Sequence, residues 1–257
     1  MIDFEPEEIR NWYRDTNRVL FITGAGISVD SGLPTYRGVA GLYDDNDTED
    51  GIPIEVALSG EMYHRRPELT WKYLMQIASA CRGKSFNRGH QLIAELENRF
   101  EEVWVLTQNI DGFHRDAGSK NVIEIHGTMR RLRCDSCDSK RATGEWEEES
   151  LPPACGECES EMRPDVVLFG EMLPDEAVAD YQSQLEKGFD AIFIVGTSAL
   201  FPYISSPIQH FAGSDCLTVE INPQDTDLSG LVDIKLDLGA TEGLELFAKC
   251  LEEAGCG

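Results

Sequence analysis

Two cysteine pairs, Cys134-x-x-Cys137 and Cys155-x-x-Cys158, stand with 17 residues between them. Each pair can present two thiolates from one tight knuckle. Two knuckles together give a tetrahedral set of four, the donor geometry that zinc prefers. Four protein ligands leave no open position, so the chemistry expected is structural. A redox Cys-x-x-Cys is the competing assignment, and two such pairs in one polar stretch fit it poorly. The stretch is also acidic, with Glu145, Glu147, Glu148, Glu149, Glu157, Glu159 and Glu161, which argues against a ribbon that grips nucleic acid. Cys81, Cys216, Cys250 and Cys256 are scattered and read as small apolar side chains.

A second set of groups is dispersed along the chain. Gly24-Ala25-Gly26 follows the apolar run Val19 to Thr23, with Ser28 and Arg37 downstream. At a strand-to-helix turn, Gly26 and Ser28 can offer a backbone N–H and a hydroxyl to an anion, and Arg37 adds a fixed positive charge. The fingerprint of hydride-transfer enzymes is broken: Val29 holds the place of its third glycine, and no acidic residue closes a second strand about 20 residues on. A plain tight turn is the simpler reading of the glycines. His126 ends the run Val122 to Ile125 beside Gly127, where a neutral imidazole can accept a proton from a hydroxyl near pH 7. Gln108-Asn109-Ile110-Asp111 ends the run Val103 to Thr107 and offers two amides and a carboxylate, a set able to bind a carboxamide and a ribose. Asp111 as a helix cap is the alternative. His64, His90, His114 and His210 read as structural.

These groups need a scaffold that brings them together. Six apolar runs read as strands: residues 19–23, 103–107, 122–125, 191–195, 217–221 and 234–238. Residues 6–17, 67–81, 88–99 and 241–253 read as helices. That alternation predicts a parallel, doubly wound sheet, in which ligands bind beyond the carboxyl ends of the strands. Those ends carry GAGIS, TQNID, IHG, GTS and INP, so five strands deliver Gly, Ser, Asn, Asp and His to one edge. Residues 39–60 are rich in Asp and Gly and predict a long loop. Residues 128–165, with the four cysteines and Pro152-Pro153, read as an inserted module.

Composition sets the outer limits. The chain has 257 residues, 41% hydrophobic and 27% charged, enough for one large domain with an insert. Runs such as Ala191 to Val195 are far too short to cross a bilayer. The start, MIDFEPEEIRNWYRD, lacks the basic and apolar regions of a signal peptide, and a cytoplasmic location is expected. The net charge of −25 opposes nucleic-acid binding and favours cationic partners such as lysine-rich peptides; solubility is its plainer meaning.

Jointly, GAGIS-x-x-SG-x-P-x-x-RG at 24–38, TQNID at 107–111, IHG at 125–127, the cysteine knuckles, VVLFGE-x-LP at 166–174 and GTS at 196–198 resemble the sirtuins, NAD-dependent protein deacylases. The resemblance runs from about residue 10 to 250. It implies an α/β fold: a Rossmann-like doubly wound parallel sheet (1–38, 84–127 and 165–257) with a small domain formed by a zinc ribbon (128–164) and a helical insert with the cofactor loop (39–83). It implies that NAD, a consumed co-substrate, and an extended acyl-lysine peptide meet in the cleft between the domains. Gly24, Ala25, Gly26 and Ser28 would hold the pyrophosphate. Tyr36, Arg37 and the loop to Tyr43 would close over NAD. Gln108, Asn109, Ile110 and Asp111 would position the nicotinamide and its ribose, with Asn109 also catalytic. Gly196, Thr197, Ser198, Asn222 and Gln224 would line the adenosine end. Val167, Leu168, Phe169, Gly170 and Glu171 would clamp the peptide backbone as a strand does. Cys134, Cys137, Cys155 and Cys158 would bind one structural zinc.

The mechanism implied has the acyl carbonyl oxygen attacking C1′ of the ribose as nicotinamide leaves. His126, the general base, then takes a proton from the ribose hydroxyls. The products are nicotinamide, O-acyl-ADP-ribose and free lysine. Protein mono-ADP-ribosylation or NAD hydrolysis in the same cleft is the alternative. The chain departs from the family in two places. Leu74 and Ile77 stand where members that remove dicarboxylic acyl groups carry a Tyr-x-x-Arg pair, and apolar side chains there favour acetyl or an apolar acyl group. The segment ALFPYISSPI after GTS differs from the usual small-residue version. A monomer is expected.

Overall fold

The computed structural model describes residues 12–34, 48–143 and 151–255. Among them β1 (Arg18–Thr23), β2 (Glu102–Thr107), β3 (Asn121–Glu124), β7 (Ala191–Val195), β8 (Leu217–Ile221) and β9 (Ile234–Leu236) form one sheet. Its order is β3-β2-β1-β7-β8-β9, and every pairing is parallel. The order reverses direction at β1, so the crevice between the β1 and β7 turns is the switch point at which such sheets bind ligands.

Side chains alternate across this sheet as the two-residue period requires. Val19, Phe21, Val105, Phe193 and Val219 pack with Leu92, Ile93, Leu244 and Leu251 of helices Arg88–Leu96 and Ala240–Glu253. Leu20, Ile22, Leu106, Ile192 and Ile194 pack on the opposite face with Tyr181, Ile204 and Ile208 of helices Asp175–Glu186 and Pro202–Phe211. Both faces are covered, which is why β7 has five buried residues in a row and reads as a continuous apolar run.

β4 (Gly127–Cys134), β5 (Lys140–Ala142) and β6 (Met162–Val166) make a second, antiparallel sheet of order β5-β4-β6. It shares one apolar core with helices Ile54–Ala57, Gly60–Arg65 and Pro67–Cys81, through Leu69, Trp71, Leu74, Ile77, Leu132, Met162 and Val166. The pairing of β4 with β6 slips between Thr128 and Leu132. In that irregular stretch the Met129 N–H reaches Ile110 O at 2.9 Å.

Several boundaries differ from expectation. The strand expected at 122–125 lies at 121–124, and that expected at 234–238 stops at Leu236. The helix expected to run to residue 99 ends at Leu96, because the N–H groups of Glu97, Asn98 and Arg99 turn back three residues to Ala94, Glu95 and Leu96. Of the helix expected at 6–17, residues 12–15 are helical and 6–11 lie outside the described residues. The loop expected at 39–60 is corrected in its second half, and its residues 39–47 lie outside the described residues. Residues 54–57 are helical, and Ser59 caps the next helix by accepting the Met62 N–H at 3.0 Å. Helices of four and six residues hold too few turns to show a period.

Candidate active site

The β1 turn does not open a long helix. Ala25–Ser31 is a seven-residue 3-10 segment. The Gly24 N–H donates to Val195 O at 3.1 Å and the Gly26 N–H to Gly196 O at 2.8 Å. The expectation that Gly26 offers its N–H to an anion is therefore corrected: that donor is spent on the β7 turn. A Cβ on Gly26 would lie 2.6 Å from Gly196 Cα, and one on Gly196, whose φ is +59°, would lie 2.7 Å from Gly26 Cα. Both glycines are needed so that two backbones can touch.

Around this contact the strand ends form one polar network. The Asn109 side-chain amide donates to Gly24 O at 3.0 Å and to Ser28 Oγ at 3.3 Å. Ser28, itself buried, donates to Asp111 Oδ2 at 2.8 Å. Asp111 Oδ1 accepts the Phe113 N–H at 2.9 Å, so the carboxylate caps one turn with one oxygen and orients Ser28 with the other. Burial pushes the Asp111 carboxyl up, against the pull of Phe113 and Ser28. The Gln108 amide donates to Thr197 Oγ1 at 2.8 Å, and Asn222 Nδ2 to Thr197 O at 3.0 Å. The Gln224 N–H closes on Asn222 Oδ1 at 3.1 Å. Ala25 and Ile110 lie on the same turns, with Ile110 packed against the core of the small sheet. Ser198 and Gln224 are exposed. Tyr36, Arg37 and Tyr43 lie outside the described residues.

His126 lies in the two-residue turn between β3 and β4. Its Nδ1 lies 2.9 Å from Gln108 O, an oxygen that can only accept, so Nδ1 carries the proton and Nε2 of the neutral ring is an acceptor. Tyr203 Oη lies 2.6 Å from that Nε2. Burial lowers the His126 pKa, partly offset by the Gln108 bond, which leaves the imidazole neutral and able to take a proton at pH 7. His90 and His114 belong to a different setting. Both are buried, 4.8 Å apart ring to ring. His114 Nε2 meets Thr23 Oγ1 at 2.9 Å, and the Thr23 hydroxyl donates to that of Thr107. Burial brings His90 down to about 4 and His114 well below its ordinary value.

The segment after β6 leaves the small sheet and runs past His126. The Val167 N–H donates to His126 O at 2.9 Å, the Phe169 N–H to Leu58 O at 2.9 Å, and the Gly60 N–H to Phe169 O at 3.0 Å. Phe169 is thus paired on one edge, as in a sheet. Glu171 turns inward: it accepts the Leu168 N–H at 2.9 Å and two bonds from Arg163, at 2.7 and 2.6 Å. Arg163 is fully buried, with its guanidinium 5.0 Å from the Tyr63 ring. Burial opposes the charge on Glu171, but the Arg163 bonds prevail and hold its pKa low. Gly170 ends the paired stretch at φ +81°. Leu74 and Ile77 are closed into the core of the small sheet.

The four cysteines fit zinc. Their Sγ atoms all lie within 4.8 Å of one another; zinc–sulfur bonds of about 2.3 Å in a tetrahedron place sulfurs about 3.8 Å apart. The knuckles repeat one turn. Cys134 O accepts the Asp138 N–H and Cys155 O the Glu159 N–H, while the Cys134 N–H donates to Ser139 O and the Cys155 N–H to Ser160 O. Asp138 and Glu159 both take positive φ, +56° and +61°.

The family model described as "Sir2 family" matches residues 24–201. The chain belongs to the Sir2 family. It is 52% identical over 228 residues to a protein named NAD-dependent protein deacylase 2 from Pseudomonas aeruginosa, covering 87% of this chain and 88% of that protein. It is 50% identical to the protein of that name from Pseudomonas syringae pv. tomato, covering 88% and 92%. A crystal structure of a Sir2 homolog–NAD complex superposes with a TM-score of 0.84 at 32% identity, over 99% of this chain and 96% of that one. A Sir2–p53 peptide–NAD+ structure gives 0.80 at 27%, over 99% and 100%. Within this Sir2 chain, Tyr203 and Arg163 were not singled out by motif. Tyr203 lies in the segment whose composition departs from the family; Arg163 carried no signal, since a cation between Met162 and Pro164 reads as surface.

Proposed function

We propose that this protein removes acetyl or other apolar acyl groups from protein lysine side chains, consuming NAD and releasing nicotinamide, O-acyl-ADP-ribose and free lysine. Its enzyme class follows from family membership and from the named activity of relatives at 50% identity or more. The observation that carries the reading for this chain is His126, held in the turn between β3 and β4 with Nδ1 fixed on Gln108 O and Nε2 turned to accept.

In this reading the Gly24, Ala25, Gly26, Ser28 turn and the Gln108–Asp111 and Gly196–Ser198 turns receive NAD at the switch point, with Asn222 and Gln224 toward the adenosine. Tyr36 and Arg37 join from outside the described residues. The Val167–Gly170 backbone receives the peptide, and Glu171 serves by holding that backbone through Arg163. Leu74 and Ile77 bound the acyl end from the core of the small sheet. One zinc sits on the four cysteines and maintains that sheet. The residue groups 1–38, 84–127 and 165–257, 39–83, and 128–164 act as cofactor-binding domain, helical module and ribbon; the large sheet has its own cores on its two faces, while the helical module and ribbon share one core. The enzyme works in the cytoplasm, as a monomer, on lysine-bearing peptides that its acidic surface attracts, and not on nucleic acid. Among the described residues no helix is long and apolar enough to cross a membrane.

His126→Ala is expected to lower NAD-dependent deacylation by about 10²- to 10⁴-fold with an unchanged circular-dichroism spectrum. Mass spectrometry of acylated peptides with NAD checks this. Undiminished turnover, ADP-ribose attached to protein, or NAD loss without an acyl substrate would contradict the proposal.

A further inference from the structure

Tyr203 is the residue of the divergent segment that reaches the histidine. Its hydroxyl lies 2.6 Å from His126 Nε2. Its ring stacks on Phe201 at 5.4 Å and 13°, and both rings meet the imidazole edge-on, at 6.0 and 5.9 Å. The Tyr203 backbone is fixed from behind, where Tyr181 Oη donates to Tyr203 O at 3.2 Å and Pro202 opens the helix. Since Nδ1 donates to Gln108 O, the imidazole has one lone pair, on Nε2, and the phenol is its donor. A sugar hydroxyl cannot donate to that lone pair while the phenol does.

Building on the role proposed for His126, we propose that Tyr203 is a catalytic residue that carries the proton from the ribose hydroxyl to His126. The sugar O–H bond breaks and its proton joins a free lone pair of Tyr203 Oη. At the same time the Tyr203 O–H bond breaks and that proton joins His126 Nε2. The phenol is neutral before and after, the imidazole becomes imidazolium, and the sugar oxygen keeps the electron pair with which it attacks the acyl carbon. The surroundings suit each partner. Burial pushes the Tyr203 phenol up to about 12, so it stays protonated as a donor. Burial also keeps His126 neutral. The stack on Phe201 holds the hydroxyl in line.

The test compares wild type, Tyr203→Phe and His126→Ala in two assays: turnover of an acetyl-lysine peptide, and exchange of labelled nicotinamide into NAD. Exchange reports the departure of nicotinamide, which precedes any sugar proton transfer. Tyr203→Phe keeps the stacking and removes only the O–H. The relay predicts a kcat about 10²-fold lower with exchange nearly unchanged. Equal or faster turnover overturns it, the phenol then being a cover that leaves when the sugar arrives. Loss of turnover and exchange together also overturns it, as a packing effect. If instead His126→Ala turns over normally, the parent reading falls first. Should Tyr203→Phe fail to fold, a difluorotyrosine at 203 lowers the phenol pKa at nearly constant size. A basic limb of kcat displaced to lower pH supports the relay, and an unmoved limb overturns it.

Discussion

The large sheet and the small one are stabilised by different physics. In the large sheet, strands such as β1 and β7 are buried almost end to end, between two apolar layers. Burial at about 25 cal/mol per Å² suffices there. The small sheet has three strands, and the three residues of β5 are exposed or half-buried. Its middle is ionic: Asp165 accepts from Arg131 at 2.7 Å and Lys140 lies 3.2 Å away, while buried Arg163 pairs with Glu171. Sheets this small are marginal without a further tie. The groups proposed as catalytic thus sit on the scaffold held by hydrophobic burial, and the segment proposed to take the peptide hangs from the scaffold held by paired charges and four clustered cysteines.

The largest test of that contrast is removal of the metal. Cys155→Ser, or a strong chelator, is expected to unfold the small sheet, structural zinc contributing on the order of 10 kcal/mol. Limited proteolysis should then cut within residues 127–166 and spare the large sheet, and native mass spectrometry should find one zinc per intact chain. A chelated chain as resistant as the holo form would erase the distinction. Next, Arg163→Ala leaves Glu171 half-buried without its partner and should cost about 3–5 kcal/mol in urea unfolding; a loss near zero would mean that burial alone holds this module too.

The large sheet carries its own signature in acid. His90 has a folded pKa of about 4, lowered by burial. Below pH 6.5 the unfolded chain binds a proton that the folded chain refuses until about pH 4, so stability falls as pH drops through that window. The loss attributable to His90 is about 3 kcal/mol at most, and His114, lowered in the same direction, adds to it. Urea midpoints between pH 7 and 4.5 should show a slope that His90→Gln reduces by close to one proton. The smallest effect is at the surface: Arg65→Ala removes an exposed pair with Glu61 and should change stability by less than about 0.5 kcal/mol, vanishing in salt.

What could be read beforehand follows the same division. The six parallel strands were legible because burial on both faces writes uninterrupted apolar runs such as AIFIV. The cysteine knuckles were legible because zinc geometry fixes spacing. β4 and β6 were not, since MRPDV reads as polar although all five residues are buried: Arg163 and Asp165 are inside only because they are paired. At the site, His126 and Asn109 stood out at strand ends. The Gly26 donor was misassigned because the sequence cannot tell a turn that faces a ligand from one that faces another turn. Tyr203 lay hidden because its partner is 77 positions away.

β6 begins at Met162, opposite the zinc ligand Cys134, and Val167, the residue just past its end, bonds His126. Five residues of backbone thus join the cysteine cluster to the histidine. Loss of zinc from the four cysteines is therefore expected to slacken that end of the backbone and the Val167 contact with His126, while the Gly26–Gly196 contact in the large sheet stays as it is.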